Sequence, residues 1–343
     1  MRGATKRLLS MKKQLQLSYK EIIDTDNLLK AWREFLKGKR KRHDIQQFSL
    51  DLIDRIVTLH QDLANNTYQH GGYHAFNICD PKPRNIHKAS VRDRLLHHAV
   101  HRKLYPFFNK TFIADSYSCQ IKKGTHRALN RFRTFFYKVS RNNTRTCWVL
   151  KCDVRKFFAS VNHATLKKIL SSYIPDKNVV SLLENIIDSF QIIPGVGLPL
   201  GNLTSQLFVN VYMNELDQFV KHKLKAKYYI RYCDDFVIFS EDKNRLASLK
   251  IPISTFLSKK LSLELHPNKV FIKTVSSGVD FLGWTHFHDH RLLRNTTKRR
   301  MIKRVGNNPT IETLTSYLGL LKHGNTEQLR KAIQRIYYLN KDT

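Results

Sequence analysis

A chain of 343 residues with 60 Lys plus Arg against 27 Asp plus Glu carries a formal net charge of +33. Such an excess repels itself unless an anion answers it; nucleic acid is the first candidate and an anionic membrane surface the second. No apolar run approaches the ~20 residues of a spanning helix, and the start from Met1 leads into no apolar segment of signal-peptide type, which makes the membrane the weaker candidate. The five cysteines (79, 119, 147, 152 and 233) are scattered, odd in number and without a Cys-x-x-Cys pair. They point to a reducing cytoplasm rather than a disulfide scaffold. Length alone suggests about two domains.

Residues 1–43 are basic and helix-prone, ending in Lys39-Arg40-Lys41-Arg42-His43, either a solvated loop or an element that binds phosphate or a partner. Over 49–63 the apolar positions Leu50, Ile53, Ile56, Val57 and Leu63 follow helical spacing. Asn65-Asn66 and Gly71-Gly72 break the chain. Pro81 and Pro83 bar a central strand over 81–87, leaving an extended edge or loop that carries Lys82 and Arg84. A helix follows over 91–108, apolar at Leu95, Leu96, Ala99, Val100 and Leu104 and basic at Arg92, Arg94, Arg102 and Lys103. Its His97, His98 and His101 complete no zinc pattern with Cys or carboxylates and read as surface or core residues. Ser116-Tyr117-Ser118-Cys119 reads as a short strand or loop, and 125–140 as a helix with aromatics at 132, 135 and 136.

Residues 147–153 form an almost fully apolar strand, which implies burial on both faces, with Asp153 at its end. An unpaired carboxylate there is costly to desolvate; an ion pair with a neighbouring Arg or Lys, or a metal, would relieve it. Helices fill 163–190. A loop with Gly195, Gly197 and Gly201 and two prolines then leads into a helix over 204–223. It is not a Walker loop, lacking Gly-Lys-Ser/Thr. Its bare backbone over 197–201 has room to pack close against a base pair. Next, two β-rich runs, 228–232 and 236–239, flank Cys233-Asp234-Asp235, which reads as the tip of a tight hairpin. The plain alternative is a solvated turn, since Asp is common in turns. A helix over 242–262, strands over 263–273 and 278–286 around a turn at 276–278, and two amphipathic helices in the tail complete the reading. Lys298-Arg299-Arg300 and Lys303-Arg304 precede those helices.

Asp153 and the Asp234-Asp235 pair are about 80 residues apart, yet strand and hairpin ends can meet in an antiparallel sheet. Together the three acids make a site for two Mg²⁺ ions, which bridge a triphosphate and stabilise a leaving oxygen. Phosphoryl transfer needs little beyond positioning and cations, and Lys82 and Arg84 can supply the cations.

The order of these elements resembles the reverse transcriptase family. Tyr232-Cys233-Asp234-Asp235 is similar to its Tyr-x-Asp-Asp hairpin. Asp153-Val154-Arg155-Lys156-Phe157-Phe158 is similar to its first metal-binding strand, Ser116-Tyr117-Ser118 to the segment before it, Leu265-His266-Pro267-Asn268-Lys269 to a later lysine-bearing turn, and Phe281-Leu282-Gly283-Trp284 to the primer-grip strand. The resemblance runs from about 80 to 285. It implies an α+β right-hand polymerase: an N-terminal basic helical region over 1–80, fingers over 81–146, a palm over 147–285 with a fingers insertion near 163–200, and a helical thumb over 286–343. It implies that Asp153, Asp234 and Asp235 bind two Mg²⁺ with help from the Val154 carbonyl, and that Lys82 and Arg84 hold the dNTP triphosphate. By the same resemblance Phe158 lies under the sugar and excludes a 2′-hydroxyl, Leu200 and Gly201 line the nucleotide site, and Lys269 protonates or neutralises the pyrophosphate. Phe157 is the alternative for the sugar contact, with the other phenylalanine in the core.

One departure narrows the resemblance. The loop Gly197-Leu198-Pro199-Leu200-Gly201 has Leu200 where most relatives have Gln, and Ser205-Gln206 where they have Ser-Pro; this form is similar to the enzymes of diversity-generating retroelements. Leu can only pack where Gln can hydrogen-bond, and lost polar contacts lower discrimination between nucleotides. The resemblance thus implies low fidelity, template RNA, primer and cDNA as bound partners, and a basic accessory protein or structured non-coding RNA beside them. A defence reverse transcriptase acting on phage with a non-coding RNA is the alternative biology, and a catalytically silent RNA-binding protein is the alternative class.

Overall fold

The computed structural model describes residues 13–79 and 83–341. They divide into two compact units. The first comprises the described residues up to Phe112, Lys156–Leu216 and Phe256–Leu263; the second comprises Ile113–Arg155, Asp217–Thr255 and the described residues from Glu264 onward. Lys82 lies outside the described residues. Among these residues no helix is long and apolar enough to cross a membrane.

The core of the first unit forms where two amphipathic helices meet. Leu28, Ala31, Trp32 and Phe35 repeat at helical spacing on Thr25–Phe35 and are buried. They face Val91–Thr111, whose Leu95, Leu96, Ala99, Val100, Leu104 and Phe108 are buried in turn. Ser90 caps the latter helix by accepting from the Asp93 amide at 3.1 Å. Buried Asp93 is fully engaged, accepting from Tyr68 Oη, Ser90 Oγ and the Gly71 amide.

Between these helices in sequence lies a hairpin, β1 (Tyr73–Ile78) and β2 (Arg84–Ala89), registered from Tyr73↔Ala89 to Ile78↔Arg84. The sequence predicts an extended edge or loop over 81–87 and no strand after Gly71-Gly72, whereas the structure pairs Arg84–Ala89 with Tyr73–Ile78. Helices His163–Ser171, Lys177–Asp188 and Leu203–Gln218 follow, the last widened into a π-helical turn at Phe219–Lys223.

The second unit is built on an antiparallel sheet of order β4-β5-β3-β6: β3 is Trp148–Asp153, β4 Tyr229–Tyr232, β5 Asp235–Ser240 and β6 Phe271–Thr274. The two central strands are buried between their ends, with Val149, Leu150 and Cys152 on β3 and Phe236 to Phe239 on β5 forming their apolar part. Helix Thr125–Val139 covers one face, its Phe132 meeting Phe239 edge-on at 4.8 Å.

Two expectations for the later chain are corrected. Residues 263–270 do not form a strand: Pro267 has no amide hydrogen for a ladder, and the segment instead bonds to the end of β3. The stretch 278–286 is not one strand but a hairpin, β7 (Val279–Phe281) and β8 (Trp284–His286), because Leu282 and Gly283 both take positive φ in a tight turn. With β9 (Arg291–Leu293) it makes a separate three-stranded sheet. The tail holds three helices, Asn295–Asn307, Ile311–Leu321 and Glu327–Asn340. The cations at 298–304 lie within the first of these, which buries Met301 and Val305 one turn apart.

Candidate active site

All three acids singled out in the sequence lie at one end of the β3–β5 ladder. Tyr232 and Asp235 pair across the hairpin, leaving Cys233 and Asp234 as its two-residue turn. Cys233 takes the left-handed conformation, φ +59°, which costs a non-glycine residue about 1–2 kcal/mol. Strain of this kind persists only where surrounding bonds fix it. Here the Asp234 carbonyl accepts from the Val154 amide at 3.2 Å, joining the hairpin tip to the end of β3. The Asp153 carbonyl in turn accepts from the His266 amide at 2.7 Å, and the Glu264 carbonyl from the Arg155 amide at 2.9 Å. These two bonds bring the Lys269 turn to the site.

Asp153 stands directly opposite Asp235 in the register. Residues opposed in this way project to the same face with Cβ atoms about 5 Å apart, and like charges so placed destabilise the ladder. Two ammonium groups answer them. Lys269 Nζ donates to Asp153 Oδ1 at 3.0 Å, and Lys151 Nζ lies 3.2 Å from Asp235 Oδ2. The carboxylate side chains are only 16% and 18% exposed, and Lys151 only 8%.

Burial pushes the Asp235 carboxyl up to about 6; Lys151 opposes the shift, and the charges of Asp153 and Asp234 add to it. Asp234 is raised by the same burial and by Asp153. Asp235 Oδ1 is buried with no hydrogen-bond partner among the described residues. An orphaned carboxylate oxygen beside two further carboxylates is a hard-oxygen environment of the kind Mg²⁺ takes. Among the described residues no three Asp, Glu, His or Cys side chains close into a ready-made metal cage; two of these acids are turned onto lysines.

The remaining residues named from sequence fall as follows. Val154 is buried and bonds the hairpin through its amide. Phe158, Leu200, Gly201 and Arg84 belong to the first unit. Lys156, at φ +44°, turns the chain into the short helix Phe157–Ser160, in which Phe157 is buried and Phe158 half-buried. The Phe158 carbonyl accepts from the Leu198 amide at 2.8 Å, the Leu200 carbonyl from the His87 amide at 3.0 Å, and Asn202 Nδ2 donates to the His87 carbonyl at 2.8 Å. Half-buried Leu200 is thereby tied to β2, whose first residue is exposed Arg84.

The glycine loop takes positive φ at both Gly197 and Gly201. Its close approaches are to the chain itself: a Cβ on Gly201 (φ +106°) would stand 2.8 Å from Ile86 Cγ2, and one on Gly197 (φ +111°) 3.1 Å from Ile192 Cγ1. Internal packing and backbone conformation both favour glycine at these two positions.

Sequence reasoning missed Lys151, Arg231 and Asp217. The signal for Lys151 was present. It lies two residues before Asp153 in an apolar strand, so alternation places it on the same face. Arg231, in the apolar run before the hairpin tip, is fully buried against Asp217.

A family model described as "Reverse transcriptase (RNA-dependent DNA polymerase)" matches residues 79–286. Among curated proteins, the chain is 25% identical to Protein YkfC of Escherichia coli over 61% of this chain and 63% of that protein. It is 23% identical to the group II intron-encoded protein LtrA of Lactococcus lactis over 78% of this chain and 54% of that one. The chain thus spans less than two thirds of the length of either relative. Among solved structures, apo telomerase from Candida tropicalis matches with a TM-score of 0.48 and 13% identity, over 71% of this chain and 60% of that one.

Proposed function

The chain belongs to the reverse transcriptase family, and on that premise we propose that it is an RNA-directed DNA polymerase, extending a primer on template RNA with dNTPs. The observation that carries the proposal is the register pairing of Asp153 with Asp235 beside Asp234, with one carboxylate oxygen of Asp235 buried and unpartnered.

In this reading Asp153, Asp234 and Asp235 would hold two Mg²⁺, with the Val154 carbonyl beside them. Such ions would supply Lewis acidity toward an attacking hydroxyl and positive charge beside the transferring phosphoryl group. The protein's own residues do the rest. Lys269 and Lys151 keep the like-charged acids together before the nucleotide arrives. Lys269, 41% exposed, is free to move from Asp153 to a pyrophosphate oxygen. Lys82 and Arg84 neutralise the triphosphate, Phe158 excludes a ribose 2′-hydroxyl, and Leu200 and Gly201 line the nucleotide site. In the same reading the fingers span 81–146, the palm 147–285 and the thumb 286–343. The charge of +33 supports nucleic-acid binding with a steep salt dependence.

The finer reading is copying of low fidelity, as in diversity-generating retroelements, and the apolar Leu200 supports it. The test is primer extension on a primed RNA with Mg²⁺ and dNTPs. We expect cDNA from the wild type and none from Asp234→Asn; a wild type that binds RNA without extending the primer would leave an RNA-binding protein of polymerase fold.

A further inference from the structure

The acids at the hairpin tip are held from behind by a buried charge network to which the reaction itself assigns no role. Tyr229 and Arg231 are two residues apart on β4 and so project to the same side. Both reach Asp217, in the last turn of Leu203–Gln218. Arg231 Nε and Nη2 donate to the two Asp217 oxygens, each at 2.7 Å, and Tyr229 Oη donates to Oδ1 at 2.8 Å. Both charged side chains are 0% exposed.

The third arm of the guanidinium points elsewhere. Arg231 Nη1 donates to the Cys233 carbonyl at 3.0 Å. That carbonyl belongs to the peptide plane joining Cys233 to Asp234, in the left-handed turn. Its orientation sets where the Asp234 backbone starts and hence where its carboxylate points. The main chain of Arg231 is tied as well: its amide donates to the Asp115 carbonyl and its carbonyl accepts from the Tyr117 amide, each at 3.0 Å.

We propose that Arg231 is a positioning residue for the polymerase site, using Asp217 as its anchor and the Cys233 carbonyl as its lever on Asp234. The inference rests on the reverse transcriptase reading above. Only arginine fits the task, because its rigid fork satisfies a carboxylate with two donors and still has a third to give. A lysine at the same place would bind Asp217 alone.

The experiment compares wild type with Arg231→Lys and with the double variant Arg231→Met/Asp217→Leu. Exchanging a whole buried ion pair for apolar side chains commonly preserves stability, so the double variant, made in a Tyr229→Phe background that removes the hydroxyl donor to Asp217, separates folding from positioning. With both variants melting near the wild type, we expect kcat on primed RNA to fall roughly 10- to 100-fold while KM for dNTP stays within about twofold. Mn²⁺ binding followed by electron paramagnetic resonance should weaken in parallel. A folded double variant with wild-type kcat and Mn²⁺ affinity overturns the proposal. So does loss of fold in both variants, which would make the network a stability element. A wild type that extends no primer defeats the underlying polymerase reading, whereas an active wild type with unaffected variants defeats only this inference.

Discussion

Asp153 and Asp235 face one another across the β3–β5 ladder, yet each carboxylate rests on a different lysine, Lys269 for the first and Lys151 for the second. The strand thus carries its own counter-charge two residues upstream of an acid that would otherwise be repelled by its neighbour.

Lys151→Met follows directly from that pairing. It leaves Asp235 buried beside two like charges, and breaking a buried pair by removing one member costs about 3–5 kcal/mol. Urea unfolding in EDTA should show a loss near the lower end of that range. Adding Asp235→Asn should restore most of it; equal stability of Lys151→Met and wild type would show the pair to be inert.

The elevated carboxyl of Asp235 predicts a pH effect on the metal-free chain. Its folded value of about 6 exceeds the ordinary aspartate value of 3.8. Between those values the folded state therefore holds more protons than the unfolded one, and stability falls as pH rises from about 4 to about 6. Above pH 6 the penalty is constant. Asp235→Asn lacks this term, so its melting temperature relative to wild type should be higher at pH 7 than at pH 4.5. A gap that does not change with pH would contradict the assignment.

Gly201→Ala tests the tie between the glycine loop and β2. Alanine at φ +106° is strained, and its Cβ would press on Ile86 at 2.8 Å; backbone strain of this kind costs about 1–3 kcal/mol. Ile86→Ala in the same chain should recover the steric part and leave the conformational part, which a double-mutant cycle resolves.

Leu200→Gln addresses fidelity. The Leu200 carbonyl already bonds to the His87 amide, so the substitution changes the side chain and leaves that bond in place. Sequencing cDNA from a defined RNA should show fewer misincorporations with glutamine. Equal error spectra would remove Leu200 from any account of fidelity.

Much of the site was legible because the hairpin and β3 are apolar runs ended abruptly by acids, and acids at the ends of buried strands need a cation. Register could not be read from that pattern, nor which lysine met which acid. Alternation along β3 places Lys151 beside Asp153 but does not name Asp235 as its partner, and Arg231 gives no such signal, because its partner is near in space but not in sequence. Asp217 lies fourteen residues before Arg231 at a helix end, a separation that no periodicity reports. The tail misled because five cations within 298–304 outweighed Met301 and Val305, although two apolar residues one turn apart were enough to seat that helix.

The path of the chain limits how the molecule can be divided. The backbone passes from one compact unit to the other after residues 112, 155, 216, 255 and 263, so neither unit corresponds to a single stretch of gene. A single cut between residues 113 and 263 leaves parts of both units in each fragment. Whether either unit folds autonomously is therefore a question for circular permutation with short designed linkers, and a protease nick after Arg155 would sever β3 and its aspartate from the segment that completes the other unit.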